Sequence, residues 1–464
     1  MIRRTIDEHR DAVDALLGVL GEARATELLE VSAARIASAP GDYRGRILAG
    51  DVVSPTDLPG FDNSQMDGFA VSWFDLVTAS AEKPVKLTVA AQIAAGDTAG
   101  VLTPGTAAPI MTGAPVPPGA DAVVPIEQAV PPRFPDSPAG ATADSSTVEF
   151  SEPVTPGTFI RRAGSDVAAG EVLLRAGSAL GPAQLGVIAG TGLQSVEVLR
   201  RIRVLLVSTG HEIRDAGTAL EAGQIFDSNS VALSLAISDA GCEVRAVPCR
   251  SDDADVLLGI LAEHAGWADL VVTVGGVSAG AREVVRDALT PLGVVFGKVA
   301  MQPGGPQGLG LAAIPAPSAA RAPEDPHTAG PESPLAAGTA PASAPTAGQT
   351  PIVVRPVICM PGNPVSALVT FELFVRSPLR RLAGREPAER LREVAMTAGA
   401  LDSPLGVHQV RRGFVDDDGT VRLVGGPSSH LLHSYASSNA LVHIPADVAH
   451  LDAGDPVMVW RIDD

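Results

Sequence analysis

Residues 269–280 read DLVVTVGGVSAG: an acidic residue, a short apolar run rich in β-branched side chains, two glycines, a serine and a further glycine. A run of this length with no polar alternation fits a strand buried on both faces, as in a parallel sheet covered by helices. The same grammar extends over about 200–380. Strands are predicted at 202–208, 243–247, 270–274, 294–299 and 352–359, and helices at 230–240, 254–264, 281–289 and 365–382. Strands alternating with helices predict a doubly wound α/β domain. Ligands of such sheets bind beyond the carboxyl ends of the strands, so the residues after each strand are the ones to interrogate.

Outward from this centre the character changes. The N-terminus carries Thr5 and Glu8 in a capping-box spacing, with Val13, Leu16, Leu17 and Leu20 on one apolar face of the helix that follows. Its early acidic residues do not suit a signal peptide. Residues 131–147 and 313–350 are rich in Pro, Ala, Ser and Gly, and the second tract is expected to be a disordered insertion, because it has too little apolar surface to offset its ordering entropy. After about residue 386, the turn Asp417-Asp418-Gly419 separates two strand-like segments, predicting a hairpin in a small β-barrel or sandwich.

Composition narrows the function. Across 464 residues there are 53 acidic and 34 basic side chains, a formal charge of −19. A nucleic-acid binder draws its affinity from basic residues and needs the opposite balance. Only three of the basic residues are lysines: Lys83, Lys86 and Lys298. Three scattered cysteines exclude a disulfide framework or a zinc site and fit a reducing cytoplasm. The one long uncharged run, between Arg175 and Glu197, is broken by glycines and a proline, so no membrane span is expected.

Four loops hold chemistry. In the 269–280 segment, Gly275, Gly276, Ser278 and Gly280 precede a helix, which suits backbone N–H groups cradling a phosphate and equally a plain glycine-rich turn. Ser208 to Ile213 reads STGHEI; Glu212 there can hold Mg²⁺ against phosphates or simply partner a helix dipole. His211 reads as a solvated neighbour. MPGNPVS, residues 360–366, places Asn363 and Pro364 at the N-cap and first position of a helix. FDNSQMDGFA, residues 61–70, crowds Asp62, Asn63, Ser64, Gln65 and Asp67 into one loop, more polar chemistry than a turn needs.

FDNSQMDGFAV, IMTGAPVPPGADAVVPIE, STGHEI, IFDSN, GGVSAG and MPGNPVSA occur in that order in one chain. Together they resemble the molybdopterin molybdenumtransferases, the enzymes that insert molybdenum into molybdopterin, a family that includes the C-terminal domain of gephyrin. The resemblance covers all of the chain but the two Pro-rich insertions. It implies an elongated four-part subunit: a helical linker domain from 1–52 plus 157–200, an inserted β-rich domain at 53–156, a doubly wound molybdopterin-binding α/β domain at 201–382 and a C-terminal β-barrel-like domain at 383–464. It implies a cytoplasmic homodimer whose active site lies between the α/β domain of one subunit and the DNSxMDG region of the other. The implied reaction takes adenylylated molybdopterin and molybdate to molybdenum cofactor and AMP, with Mg²⁺.

Carried over position by position, the resemblance implies catalytic roles for Asp67, Thr112, Asp166, Glu212 and Asp252. It implies substrate binding by Asp227, Ser228 and Asn229 of IFDSN, by Gly275, Gly276, Ser278 and Gly280, and by Pro361, Asn363 and Pro364. Glu212 and Glu283 are the implied metal ligands. The chain departs from the family where many members carry two lysines in a KPGKP-like segment: it reads MQPGGPQG, with Gln302 and Gly305 at those places. Gln302, Lys298 and Arg282 then become the candidates for binding molybdate, an anion that the surrounding carboxylates repel. Two alternatives accompany this reading: a degenerate molybdopterin-binding paralogue acting as carrier or scaffold, and the molybdopterin adenylyltransferase that prepares the substrate. The DNSQMDGFA loop and the C-terminal β-domain speak against the second.

Overall fold

The computed structural model describes residues 2–21, 24–134, 146–278, 283–316 and 351–463. They form two compact units, one of residues 27–198 and one combining 1–26 with 199–464.

The second unit is built on a seven-stranded sheet. In chain order its strands are β1 (Ile2–Arg4), β2 (Arg203–Thr209), β3 (Glu243–Cys249), β4 (Leu270–Val274), β5 (Val295–Val299), β6 (Pro306–Pro315) and β7 (Ile352–Met360). Their order across the sheet is β1-β5-β6-β7-β4-β2-β3. Strands β7, β4, β2 and β3 run parallel, as β1 does to β5, whereas β6 is antiparallel to both its neighbours. The expected parallel sheet is therefore mixed, and β6 falls where no strand was read. Its ladder with β7 extends to Pro315 opposite Ile352, so residues 313–315, assigned from composition to the insertion, belong to the sheet. The rest of that tract, from 317 to 350, lies outside the described residues.

Both faces of this sheet are buried, which is why its strands read as unbroken apolar runs. Val204, Leu206, Val272 and Ile358 point into one core with Leu16 and Leu17 of the N-terminal helix (Ile6–Gly18), Leu233 and Ile237 of the helix Ser228–Asp239, and Phe371 and Phe374. Their sequence neighbours Leu205, Val207, Val271 and Val357 point into the opposite core with Leu257, Leu261, Val285 and Leu289. The expected helix 365–382 is one continuous rod, Pro364–Thr370 and Arg376–Leu382 joined by the π-turn Phe371–Val375. The capping box forms as read: Thr5 N–H donates to the Glu8 carboxylate at 2.8 Å and Glu8 N–H to the Thr5 hydroxyl at 3.2 Å.

The sequence places the first residues with a helical linker. In the structure β1 and the helix after it join the α/β sheet, because β1 completes the ladder of β5 and the helix buries Val13, Leu16 and Leu17 against it. The C-terminal strands close on themselves: His408–Val415, Thr420–Leu423, Arg392–Thr397, Pro456–Arg461 and Ala440–Ile444 pair in succession, and the last returns to the first. The hairpin around Asp417-Asp418-Gly419 is part of this barrel-like closure.

The unit 27–198 holds a six-stranded sheet, with Gly68–Val71 between Thr106–Ile110 and Ala122–Pro125. Its remainder mixes two-stranded ladders with the helices Ala33–Ser38 and Pro182–Gly190. Residues 27–52 and 157–198 thus join these two helices to short strands whose partners are distant in sequence, as Val52–Val53 pairs with Val172–Leu174.

Candidate active-site cleft

The carboxyl ends of β2, β4 and β7 open onto a cavity of ≈ 860 Å³, large enough for a substrate of cofactor size. Three backbones meet at its floor. Gly275 follows β4 with φ +101°, and its N–H donates to Met360 O at 3.0 Å. A Cβ on Gly275 would stand 2.7 Å from Thr209 O, and one on Gly362 would stand 3.2 Å from the Gly275 Cα. Glycine is required because three loops press against one another.

Side chains then tie these loops together. Asn229 Nδ2 donates to Gly362 O at 2.7 Å. Asp227 caps the helix Ser228–Asp239 by accepting from Ser230 N at 2.9 Å, and also accepts from the hydroxyls of Ser208 at 2.5 Å and Ser230 at 2.7 Å. With its oxygens so occupied, Asp227 acts as a structural cap. Asn363 sits at the N-cap of the next helix, yet its side chain does not cap it. Instead Nδ2 donates to Ser429 Oγ at 2.8 Å, while Val365 N–H is satisfied by Ser429 O at 3.1 Å.

Of the residues expected at the site, Glu212, Asp227, Ser228, Asn229, Asp252, Gly275, Gly276, Ser278, Glu283, Gln302, Pro361, Asn363 and Pro364 all line this cleft. Gly280 and Arg282 lie outside the described residues. Lys298 is exposed on β5 and does not line the cavity. It pairs with Arg3 on one side and with Pro306, itself a cleft residue, on the other, four residues before Gln302. Asp67, Thr112 and Asp166 belong to the unit 27–198. There Asp67 accepts from Thr112, and Asp166 is exposed. Most of the polar groups in FDNSQMDGFA brace their own loop. Asp62 accepts from Arg162 at 2.5 Å and from Ala163 N at 2.8 Å, and Ser64 Oγ donates to Met66 O at 2.6 Å.

The cleft is acidic. His211 Nδ1 stands 3.4 Å from Asp252 and 3.7 Å from Glu212. Glu283 Oε2 accepts the Ser278 N–H at 3.0 Å, so this loop amide is already engaged by a carboxylate. Asp253 caps the helix Ala254–His264, leaving Asp252 to face the cavity. Among the described residues the lining contains no Lys or Arg, only His211 and His430 as bases. Nor do the described residues contain a group of three or more His, Cys, Asp or Glu able to hold a metal. The wall formed by Pro427, Ser428, Ser429 and His430 was not singled out in the sequence. Its one local sign is the Gly425-Gly426-Pro427 run; behind it the buried Arg411 and Arg412 donate to the Gly425 and Gly426 carbonyls.

A doubly wound domain with glycine loops and carboxylates at its strand ends, followed by a closed β-domain, defines a multidomain α/β ligand-binding protein. Family models agree segment by segment. Residues 4–192 match the MoeA N-terminal region (domain I and II), residues 205–381 the "Probable molybdopterin binding domain", and residues 395–462 the MoeA C-terminal region (domain IV). Molybdopterin molybdenumtransferase 2 of Mycobacterium tuberculosis is 43% identical over 429 residues, covering 90% of this chain and 93% of that protein. The molybdopterin molybdenumtransferase of Haemophilus influenzae is 31% identical, covering 89% and 90%. A molybdopterin biosynthesis MoeA protein from Pyrococcus horikosii superposes with a TM-score of 0.70 at 26% identity over 100% of both chains. The chain belongs to the molybdopterin molybdenumtransferase family, transferases of molybdenum cofactor biosynthesis.

Proposed function

We propose that this chain inserts molybdenum from molybdate into adenylylated molybdopterin and releases AMP, and that it does so in the cytoplasm as a homodimer. The observation that carries the reading is the cleft at the ends of β2, β4 and β7, where tied glycine loops and the carboxylates of Glu212, Asp252 and Glu283 face one cavity. A ligand with a phosphoanhydride link suits such a site: the helix that starts at Pro364 brings the positive end of its dipole to the cavity wall, and the cavity accommodates both a pterin and a nucleotide.

The donor set fits Mg²⁺. That ion needs only one or two protein carboxylates, takes the rest of its shell from water and phosphate oxygens, and so requires no three-ligand cluster. Glu212 and Glu283 are the ligands proposed, with Asp252 beside Glu212. Bound there, the ion would spread the charge that develops on the phosphate oxygens as the anhydride breaks. Asp227, Asn229 and Asn363 hold the loops in register, while Asp67, Thr112 and Asp166 of the other subunit complete the site.

The deciding experiment is AMP release from adenylylated molybdopterin with and without molybdate. Molybdate-dependent release supports the reading. Binding of molybdopterin without release would favour a carrier, and adenylylation of molybdopterin with ATP would favour the adenylyltransferase.

A further inference from the structure

One stretch of the cleft wall differs in chemistry from the rest. Most of the lining is glycine, serine, proline and carboxylate, but one lip is apolar. It is formed by a short parallel ladder in which Ile213 pairs with Ile225 and Arg214 with Phe226. On this lip Ile225 is 54% and Phe226 46% exposed, and both line the cavity. Among the described residues Phe226 is the only phenylalanine, tyrosine or tryptophan that does so. A phenyl ring stabilises a fold through the area it buries, and aromatic residues make up only 3% of this chain. Here a scarce ring stands half in solvent at the edge of a ligand-sized cavity.

The backbone fixes that ring from both sides. Ile225 N–H donates to Glu212 O at 3.0 Å, and Asp227 N–H donates to Arg214 O at 2.9 Å. Asp227, the next residue, is locked in turn by the hydroxyls of Ser208 at 2.5 Å and Ser230 at 2.7 Å. The cross-strand neighbour Arg214 is folded back on its own loop, its Nη1 donating to His211 O at 2.8 Å and Ile213 O at 2.7 Å. A ring mounted on so braced a backbone loses little freedom when a ligand lies against it. The same ladder carries Glu212, so the ring and that carboxylate share one loop pair. Flat nitrogen heterocycles stack on aromatic faces and need no matched hydrogen bonds to do so. Adenylylated molybdopterin has one such ring at each end, with its phosphates between them.

We propose that Phe226, with Ile225 beside it, is a stacking shelf for a flat heterocyclic ring of the substrate and a specificity-determining position of the cleft. The identity of the ring, adenine or pterin, rests on the reaction proposed above. The shelf itself rests on the exposed, braced phenyl ring at the cavity edge.

Calorimetric titration of the full chain with AMP, and separately with neopterin, tests it and distinguishes the two rings. Phe226→Leu keeps apolar bulk but removes the flat face, whereas Phe226→Tyr keeps the face. The expected result is roughly tenfold weaker binding of at least one probe in Phe226→Leu, with wild-type binding in Phe226→Tyr. The probe that weakens names the ring. Wild-type affinity for both probes in Phe226→Leu overturns the proposal, and a change in its assembly state alone would make the lip an interface between chains. Equal loss in both variants, or no binding of either probe to the wild-type chain, also overturns it. Measuring AMP release on the same proteins separates the shelf from the reaction. Molybdate-dependent release with unweakened probes removes the shelf alone. No release from the wild-type chain, with a probe weakened in Phe226→Leu, removes the reaction and keeps the shelf.

Discussion

The carboxylate of Asp67 accepts two hydrogen bonds from a single residue, the backbone N–H of Thr112 at 2.6 Å and its hydroxyl at 2.8 Å. The backbone bond, then the hydroxyl bond, holds the Asp67 carboxyl below the usual range. In Thr112→Val the hydroxyl donor is gone while the amide remains, so the titration midpoint of Asp67 should rise part of the way back. Carboxyl NMR across pH 2–6 reads this directly. Because the native pKa is depressed, the bond stabilises the fold above the unfolded value near 3.9 and is lost as pH falls through the native one. An unchanged midpoint would mean that the amide alone sets it.

The proposed site, shared between the subunits of a homodimer, predicts complementation. Asp67→Asn and Glu212→Gln should each abolish AMP release, since each removes one half of every site. Mixed and re-annealed, half of the dimers are hybrids with one intact site of two, so roughly a quarter of the wild-type rate per chain should return. Hybrids that form and stay inactive would exclude the shared site.

Of the two positions at which the resemblance implies lysines, Gln302 lines the cleft. Its Oε1 accepts from Gln409 Nε2 at 3.0 Å, while the Gln409 Oε1 is buried without a partner. A lysine at 302 can donate to that oxygen and bring a charge to the wall. Gln302→Lys should lower the molybdate concentration for half-maximal turnover by roughly fivefold, about 1 kcal/mol. Gly305 is different. It does not line the cavity, and a Cβ there would meet Val299 O at 3.3 Å and the Lys298 Cε at 3.5 Å. Gly305→Lys should therefore leave molybdate dependence unchanged and lower the thermal midpoint.

His9 is buried, with its Nε2 2.9 Å from Gln307 Oε1 and its ring edge-on to Phe374 at 4.7 Å. Burial pushes it down from 6.5 to about 4, against a smaller opposing effect of the Gln307 bond. The native state keeps the ring neutral while the unfolded chain protonates it below 6.5. Stability should thus be steady above that pH, fall through the interval from 6.5 to about 4 by roughly 3 kcal/mol, then level off with respect to this group. Denaturant midpoints of His9→Gln should lack that part of the acid slope.

Residues 317–350 join strands whose last pairing is Pro315 with Ile352, closed by Ala316 N–H to Pro351 O at 2.7 Å. The ends already lie side by side, and shortening a loop changes closure entropy by only ~0.6 kcal/mol per doubling of length. Replacing 317–350 with a short Gly-Ser turn should leave thermal midpoint and AMP release nearly unchanged. A large loss in either would show that the tract packs on the fold.

What the sequence revealed follows the range of the interactions involved. β2, β4 and β7 were legible because both faces are buried and their side chains had to be apolar. β6 was not, because Gly308 and Gly310 sit within it. A Cβ at Gly308 would collide with the Phe296 ring at 2.6 Å, and one at Gly310 with Gly293 O at 2.6 Å. Close packing, not turning, demands those glycines, and the pattern imitates a loop. Asn363 was recognised as a helix start but not as the donor to Ser429, a partner 66 residues away that no local pattern announces. The cleft's strand-end residues were readable for the same reason as the strands, whereas the Ser429 wall was not.

The strand Ile2–Arg4 has a further meaning. It pairs in parallel with Val295–Val299 and ends the sheet on that side. Those three residues thus occupy the ladder that a foreign strand would otherwise find open, and Val295 on the strand they cover is exposed. Trimming those residues, or fusing a bulky tag against them, would leave a bare apolar edge ready to recruit other chains. In this protein a strand of three residues guards the sheet against aggregation.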